Sequence, residues 1–227
     1  MLNARPSFFP VDLHNPSVEV IMRRSRNIWF IRTSNERTLD LLSTCAVASA
    51  AEKNPDSTVW LLSNHLSCDG LARSGAPVVL VRFDYARAFA GYPALLRWFE
   101  GGAWRGKFES NNLGNSLRLV LLHQYGGLYL DTDILSLRPA TDLVNSIGIE
   151  TELFLNNAVR NEANWLMWRW RAPEALAPPS SWQVLAFDAG HPYVLEAISR
   201  FVSGFKQVWG QQGPRLVTRC EREGPRS

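Results

Sequence analysis

Apolar runs long enough to cross a bilayer are missing from this chain: no stretch approaches the roughly 20 apolar residues that a spanning helix needs. The opening MLNARPSFFP contains no apolar signal core. The expectation is a chain without a membrane segment, either a soluble protein or a piece of something longer. Cysteine is scarce as well. Cys45, Cys68 and Cys220 share no metal-ligand spacing, and their odd number leaves at least one thiol without an intramolecular partner, so they indicate neither a zinc site nor a redox compartment. No Asn-X-Ser/Thr sequon occurs, which gives no support to a secreted protein and does not exclude one. A dominant charge is lacking too: the net charge is +3 and the basic residues are scattered, so no nucleic-acid partner is suggested. The one cluster, Arg23-Arg24-Ser25-Arg26, reads as a solvated face.

What is present suits one sizeable α/β domain: 227 residues, 46% of them hydrophobic and 20% charged. Residues 1–26 hold three prolines and no sustained periodicity, and read as an N-terminal arm or loop. Asn27 to Ile31 is a short run of branched and aromatic residues typical of a buried strand. Thr38 to Lys53 reads as a helix, capped by Thr38, with Leu41, Leu42, Cys45, Ala46 and Ser49 at helical spacing and Asn54-Pro55 as its stop. Ser57–Ser63 and Val78–Phe83 are further strands. Strand, helix and strand at these intervals imply a parallel βαβ unit with its ligand edge beyond the strand C-termini. Residues 84–109, rich in aromatics and glycine, suit a flexible lid or a lateral packing region. A second helix from Asn111 or Asn112 to Tyr125 carries Leu113, Leu117, Val120, Leu121 and Gln124 on one face, and Gly126-Gly127 stops it.

The strand Leu128-Tyr129-Leu130 then leads straight into Asp131-Thr132-Asp133. In a strand, alternate side chains point the same way, so the two carboxylates are expected to project together and to repel unless something positive lies between them. Three chemistries compete. A solvated turn needs no ligand. A phosphatase of the haloacid dehalogenase type would use the first Asp as nucleophile and the second as acid. That motif wants Thr or Val where Leu135 stands, near the start of a domain and not past mid-chain, and a later lysine, for which only Lys206 offers itself. The third is a divalent cation serving a nucleotide diphosphate: Mg²⁺ or Mn²⁺ is held by one or two carboxylates plus phosphate oxygens and water, and stabilises the departing diphosphate.

The run NNLGNSLRLVLLHQYGGLYLDTDILSLRP resembles the DXD segment of the α-1,4-galactosyltransferase and α-1,4-N-acetylglucosaminyltransferase family (glycosyltransferase family 32-like). NIWFIRTS, CAVASAAEKNPDSTVWLLS, FLNNAV, LAFDAGHPYVLEAISRFVSGF and WGQQGPRLVTR fit in the same order, covering most of residues 27–219. The resemblance implies a GT-A-like fold, a Rossmann-type mixed sheet flanked by helices, spanning 27–219. It implies Golgi location, a UDP-sugar donor, Mn²⁺ (or Mg²⁺) as cofactor, and retaining transfer of a hexose or N-acetylhexosamine to a sugar hydroxyl of a glycolipid or glycoprotein. Carried over by position, Asp133 is the direct metal ligand, and Asp131 reaches the metal through water or holds the donor's ribose or sugar. Arg118 lies near the donor, or is an exposed helix arginine. Asn156 and Asn157 bind sugar hydroxyls, or form a strand-end turn. Asp188 faces the acceptor, or caps the helix that His191-Pro192 begins. Gly210 and Gly213 belong to a loop closing on the diphosphate.

Departures from the family pattern point to a second reading, a catalytically silent domain that binds UDP-sugar or pairs with an active transferase. Gln211 stands where many members have histidine, and Gly114-Asn115 where many have Ser-Asp. Residues 160–184 form an atypical insertion with four tryptophans, read first as sequence retained by imperfect gene processing and second as an acceptor platform. Residues 220–227 read as a C-terminal tail unlike the family's continuation.

Overall fold

The computed structural model describes residues 10–68, 78–149, 167–169 and 180–223. Eight strands form one mixed sheet: β1 (Val11–Asp12), β2 (Arg26–Ile31), β3 (Ser57–Leu62), β4 (Val78–Arg82), β5 (Gly127–Leu130), β6 (Ser146–Ile149), β7 (Met167–Arg169) and β8 (Ser180–Phe187). Their order is β1-β4-β3-β2-β5-β8-β6-β7. From β1 to β5 neighbours are parallel; from β5 onward every pair is antiparallel. The chain therefore starts its core at β2, steps outward through β3 and β4, and returns to the other side of β2 as β5. That reversal makes the β2/β5 C-terminal edge the topological switch point, where open α/β sheets leave a crevice.

The helices are α1 (Pro16–Arg24), α2 (Leu41–Lys53), α3 (Tyr85–Phe89), α4 (Pro93–Glu100), α5 (Glu109–Tyr125), α6 (Pro192–Ser203) and α7 (Pro214–Glu223). Period-two alternation divides the core. Ile28, Phe30, Val59, Leu61, Leu128 and Leu130 pack with Ala46, Val47 and Ala50 of α2. Trp29, Trp60 and Tyr129 face the other way, against Leu117, Val120 and Leu121 of α5 and Val194, Ile198 and Phe201 of α6. Near-continuous apolar strands are what a sheet covered on both faces requires.

Several expectations need correction. Residues 1–26 are not simply an arm. Asn15 caps α1 by accepting from the Ser17 N–H, Pro16 occupies the first helical position, and Val18 and Met22 are buried. The buried amide of Asn27 donates to the Met22 carbonyl at 2.7 Å and accepts from the Trp60 indole at 2.8 Å, tying this helix to the sheet. Asp40, not Thr38, caps α2: its carboxylate accepts from the Ser43 N–H at 2.7 Å. That backbone hydrogen bond holds the Asp40 carboxyl below its ordinary value. Residues 84–109 are a packing region, with Tyr85, Phe89 and Phe99 in mutual ring contact and Trp104 stacked on Phe99. The 160–184 insertion contributes β7 and the first half of β8 to the sheet; its remainder lies outside the described residues. Cys220 to Glu223 continue α7, with Cys220 buried, so the tail assigned from 220 begins too early.

Gly126 ends α5 at φ 65°, and Gly127 opens β5 at φ 107°. A Cβ on Gly127 would run into the Asn27 backbone carbonyl, which belongs to the neighbouring strand and cannot yield. Gly127→Ala is expected to cost about 2–3 kcal/mol, read as a lower urea midpoint at unchanged slope.

Two histidines make the fold sensitive to acid. Burial lowers the pKa of His123 and of His191, in the latter against an opposing pull from Asp188. Burial also pushes the Tyr92 phenol up to about 12, and its hydroxyl shares a 2.7 Å hydrogen bond with His123 Nδ1. The unfolded chain takes up these protons at a higher pH than the folded one. Stability is therefore full above about pH 6.5 and is lost as the pH falls toward the folded values. Melting curves should show this decline, and His123→Gln should flatten it.

Candidate active site

A cavity of about 310 Å³ opens at the β2/β5 switch point. Ile31, Arg32 and Thr33 reach it from the end of β2, Tyr129, Asp131, Thr132 and Asp133 from the end of β5, Asp40 and Ser43 from the start of α2, and Ser110, Asn111, Gly114 and Arg118 from α5. The register Trp29 with Tyr129 sets Arg32 and Asp131 just past the ends of adjacent strands.

The acidic pair is delivered by a turn. β5 ends at Leu130, the Asp131 N–H bonds to the Gln183 carbonyl at 2.9 Å, and the Ile134 N–H returns to the Asp131 carbonyl at 3.1 Å. Thr132 lines the cavity with both aspartates, so the expected strand alternation, with Thr132 pointing away, does not hold. The two carboxylates differ in their surroundings. Asp131 Oδ1 lies 3.2 Å from Arg118 Nη2 and accepts a hydrogen bond from the Tyr129 hydroxyl. The Arg118 guanidinium sits 4.1 Å from the centre of the Tyr129 ring, and its side chain is 8% exposed, so it is a buried cavity wall and not an exposed helix arginine. Burial drives the Tyr129 phenol well above its ordinary value, keeping it a proton donor. Asp133 is more exposed. Burial first, and the negative charge of Asp131 second, raise its carboxyl above the usual range, partly offset by a backbone hydrogen bond and by Arg118.

These residues fit a divalent cation. Two carboxylates share one cavity, and Asp131 and Asp133 lie close enough for the charge of the first to add to burial in raising the second, a repulsion that a cation would offset. Among the described residues no group of three or more acidic, His or Cys side chains could hold a metal alone. Phosphate oxygens and water would have to complete the shell, as is usual for Mg²⁺ and Mn²⁺ in nucleotide sites.

The wall at the end of β2 is charged and polar, one arginine among two carboxylates. Arg32 Nη1 donates to Asp40 at 3.2 Å and to the Ser43 hydroxyl at 3.0 Å, and Nη2 pairs with Glu36. The start of α5 faces the cavity through Ser110 and Asn111, and its N-cap, Phe108, supplies no side-chain acceptor. Ser110, Asn111, Gly114 and Arg118 recur at helical spacing, so α5 presents its flank to the cavity from its first turn to its third. Sequence reasoning missed Arg32, Thr33 and Asp40. For Arg32 and Thr33 the signal available was their place directly after a strand pointing at the ligand edge, and for Asp40 its place at the start of the following helix.

Other expected site residues are elsewhere. Asp188 follows β8, which runs antiparallel to β5 with Phe187 opposite Gly127, so it lies at the far end of the sheet from Asp131. There it accepts from the Asn145 amide at 2.8 Å, while its own N–H donates to Asn145 Oδ1 at 2.9 Å. His191, not Asp188, caps α6. The capping expectation for Asp188 is therefore not met, and its place at that end of the sheet separates it from the acidic turn. Asn156 and Asn157 lie outside the described residues. Gly210 and Gly213 do not line the cavity. Their loop is anchored beside the start of α5 by Gln207, which accepts from Asn112 at 3.2 Å and donates to the Ala103 and Arg105 carbonyls at 2.8 Å each.

A family model described as "Glycosyltransferase sugar-binding region containing DXD motif" matches residues 42–154. The chain is 30% identical to lactosylceramide 4-alpha-galactosyltransferase of Mus musculus over 223 residues, 92% of this chain and 55% of that protein. It is 25% identical to alpha-1,4-N-acetylglucosaminyltransferase of Homo sapiens over 221 residues, 90% of this chain and 56% of that protein. It thus spans about half the length of the curated relatives it matches. The solved structure of PaToxG glycosyltransferase superposes with a TM-score of 0.56 over 89% of this chain and 73% of its own at 17% identity, a likeness of fold.

Sheet topology and the likeness to a solved structure give a fold of GT-A type, and the family match makes it a glycosyltransferase domain. The chain belongs to the family of DXD-containing glycosyltransferases that includes the α-1,4-galactosyl- and α-1,4-N-acetylglucosaminyltransferases. Membership implies, in general terms, a divalent cation and a nucleotide-sugar donor, and it displaces the dehalogenase-type phosphatase reading.

Proposed function

We propose that this domain transfers a hexose or N-acetylhexosamine from a UDP-sugar to a sugar hydroxyl of a glycolipid or glycoprotein in the Golgi, with Mn²⁺ and with retention of configuration. The observation that carries the reading is the turn Asp131–Asp133 facing a cavity whose other walls are Arg32, Arg118 and the start of α5. Asp133, the more exposed carboxylate, is the direct metal ligand. Asp131, engaged by Arg118 and Tyr129, is left for water-mediated contact with the metal or for a hydroxyl of the donor. When bound, the cation supplies positive charge that stabilises the departing diphosphate.

The chain's own groups do the rest. Arg118 sets positive charge on the α5 side of the cavity, favouring a diphosphate over a neutral sugar. The Tyr129 hydroxyl holds Asp131 in one orientation. Arg32, engaged by Asp40, Glu36 and Ser43, keeps a cation in the wall at the end of β2. Gln211 and Asn115 leave a silent UDP-sugar-binding domain as the second reading. Titrating UDP with and without Mn²⁺, then assaying a panel of UDP-sugars for hydrolysis, tests both. Binding tightened by Mn²⁺ together with turnover is expected. Tightened binding without turnover selects the silent domain, and UDP binding indifferent to Mn²⁺ overturns the site.

A further inference from the structure

The cavity itself has no open aromatic face for a second sugar. Among the described residues that line it Tyr129 alone is aromatic, and the Arg118 guanidinium lies over its ring. A pyranose has a face of C–H groups and a rim of hydroxyls, so it suits an open aromatic ring with amides and hydroxyls beside it. Such a place is reached along α5. Gly126 ends this helix and Gly127 opens β5, so the helix runs against the strand it feeds and its first turn lies outward from the strand's C-terminal end. Arg118 is level with Asp131, 3.2 Å away. Asn111, seven residues earlier, is about 10 Å further out on the same helix and still lines the cavity. Phe108 is the N-cap at the outer end, and its ring meets that of Trp209 with centroids 5.6 Å apart.

Trp209 is 64% exposed, yet its position is built. Val208 to Gln211 form a turn closed by the Gln211 N–H on the Val208 carbonyl at 3.2 Å, with Gly210 at φ 71° in the third place and Trp209 at the corner. Just before the turn, Gln207 ties the loop to α5 by accepting from the buried Asn112, the neighbour of Asn111, at 3.2 Å. Its amide also donates to the Ala103 and Arg105 carbonyls. A protein partner would need a far broader apolar area, about 800 Å² on each side. In this loop only Val208 joins Trp209 as an exposed large apolar side chain, and exposed Lys206 and Lys107 stand beside the two aromatics. One open indole among polar groups, at the outer end of the helix that walls the cavity, fits a sugar ring.

We infer that Trp209, braced by Phe108, is the platform on which a sugar ring of the acceptor rests, with the Asn111 amide beside it for a ring hydroxyl. This rests on the proposed transferase function and adds the acceptor side to it. Trp209 does not line the cavity, so acceptor binding and donor binding are separable.

The test is saturation-transfer NMR of the chain with the methyl β-glycosides of galactose, glucose and N-acetylglucosamine, with and without UDP and Mn²⁺. UDP titration and hydrolysis of UDP-sugars, in which water is the acceptor, are measured on the same preparations. At least one glycoside is expected to receive saturation at the C–H protons of one ring face. Trp209→Ala should weaken that binding about tenfold and Trp209→Phe should keep most of it. With that glycoside as acceptor, KM should rise in Trp209→Ala, while UDP affinity, hydrolysis and melting temperature stay as in the wild type. A wild-type chain that contacts none of the glycosides, or a Trp209→Ala chain that binds them as well, overturns the inference. So does a Trp209→Ala chain that loses UDP affinity and keeps the glycoside, which would make Trp209 part of the donor site. A wild-type chain that binds UDP without regard to Mn²⁺ strikes the donor reading instead, and the glycoside contacts made without nucleotide then decide the role of Trp209 by themselves.

Discussion

Replacing Asp133 with Asn should cut sugar transfer by about a hundredfold or more, erase the Mn²⁺ dependence of UDP binding, and yet raise the melting temperature at neutral pH. The opposed signs follow from one cause. Burial and the charge of Asp131 raise the Asp133 carboxyl above its unfolded value. Between the two values the folded state holds more proton than the unfolded state, so stability declines as the pH rises through that window, and the ionised group remains a cost above it. An amide of the same shape removes the cost. Its advantage should be full at neutral pH, shrink as the pH falls through the raised value, and vanish below the ordinary carboxylate value. Calorimetric melting across that range, with UDP titrations in Mn²⁺ and in chelator, reads both effects. A variant that keeps its Mn²⁺ response would show that Asp133 is not the direct ligand. A site that stores repulsion for a cation to relieve is one in which binding function and resting stability oppose each other.

The parallel half of the fold was legible because its signals are local. Asn27–Ile31, Ser57–Ser63 and Val78–Phe83 are dense apolar strands, and α5 with its double-glycine stop leads into β5 without ambiguity. The acidic turn and Arg118, which line the cavity, could be named from that half alone. The first helix was hidden: only Val18 and Met22 are buried in its nine residues, so periodicity is faint, and Asn15-Pro16 reads as a break although it is a cap and a first helical residue. The antiparallel half was illegible for a different reason. A short apolar run does not declare the direction in which it joins a sheet, and direction decides which end its neighbours occupy. Asp188 shows the consequence, since a parallel β8 would have carried it toward the acidic turn and the antiparallel one carries it away. The strand end at Leu130 was read correctly, but the chain turns there instead of continuing extended, and that turn brings Thr132 into the cavity wall with both aspartates.

Arg118→Ala should be the most damaging single change in the α5 wall, and its two effects can be pulled apart. In the folded chain the guanidinium is buried against the Tyr129 ring and pairs with Asp131, whose side chain is 27% exposed. Removing it strands a carboxylate beside a buried phenol. The full penalty of breaking a buried pair, about 3–5 kcal/mol, is discounted here by solvent at Asp131 to about 2–3 kcal/mol of stability. Asp131→Asn in the same chain should restore much of that stability, since no charge is then left uncompensated, and the double-mutant cycle should show strong coupling. Donor binding behaves otherwise. Because the Arg118 charge also faces the cavity, UDP affinity should fall about tenfold or more in Arg118→Ala and stay low in the double variant. Arg118→Lys should keep part of the affinity while losing the flat contact with Tyr129. Recovery of UDP affinity together with stability in the double variant would reduce Arg118 to a brace for Asp131. Recovery of stability alone places its charge on the nucleotide.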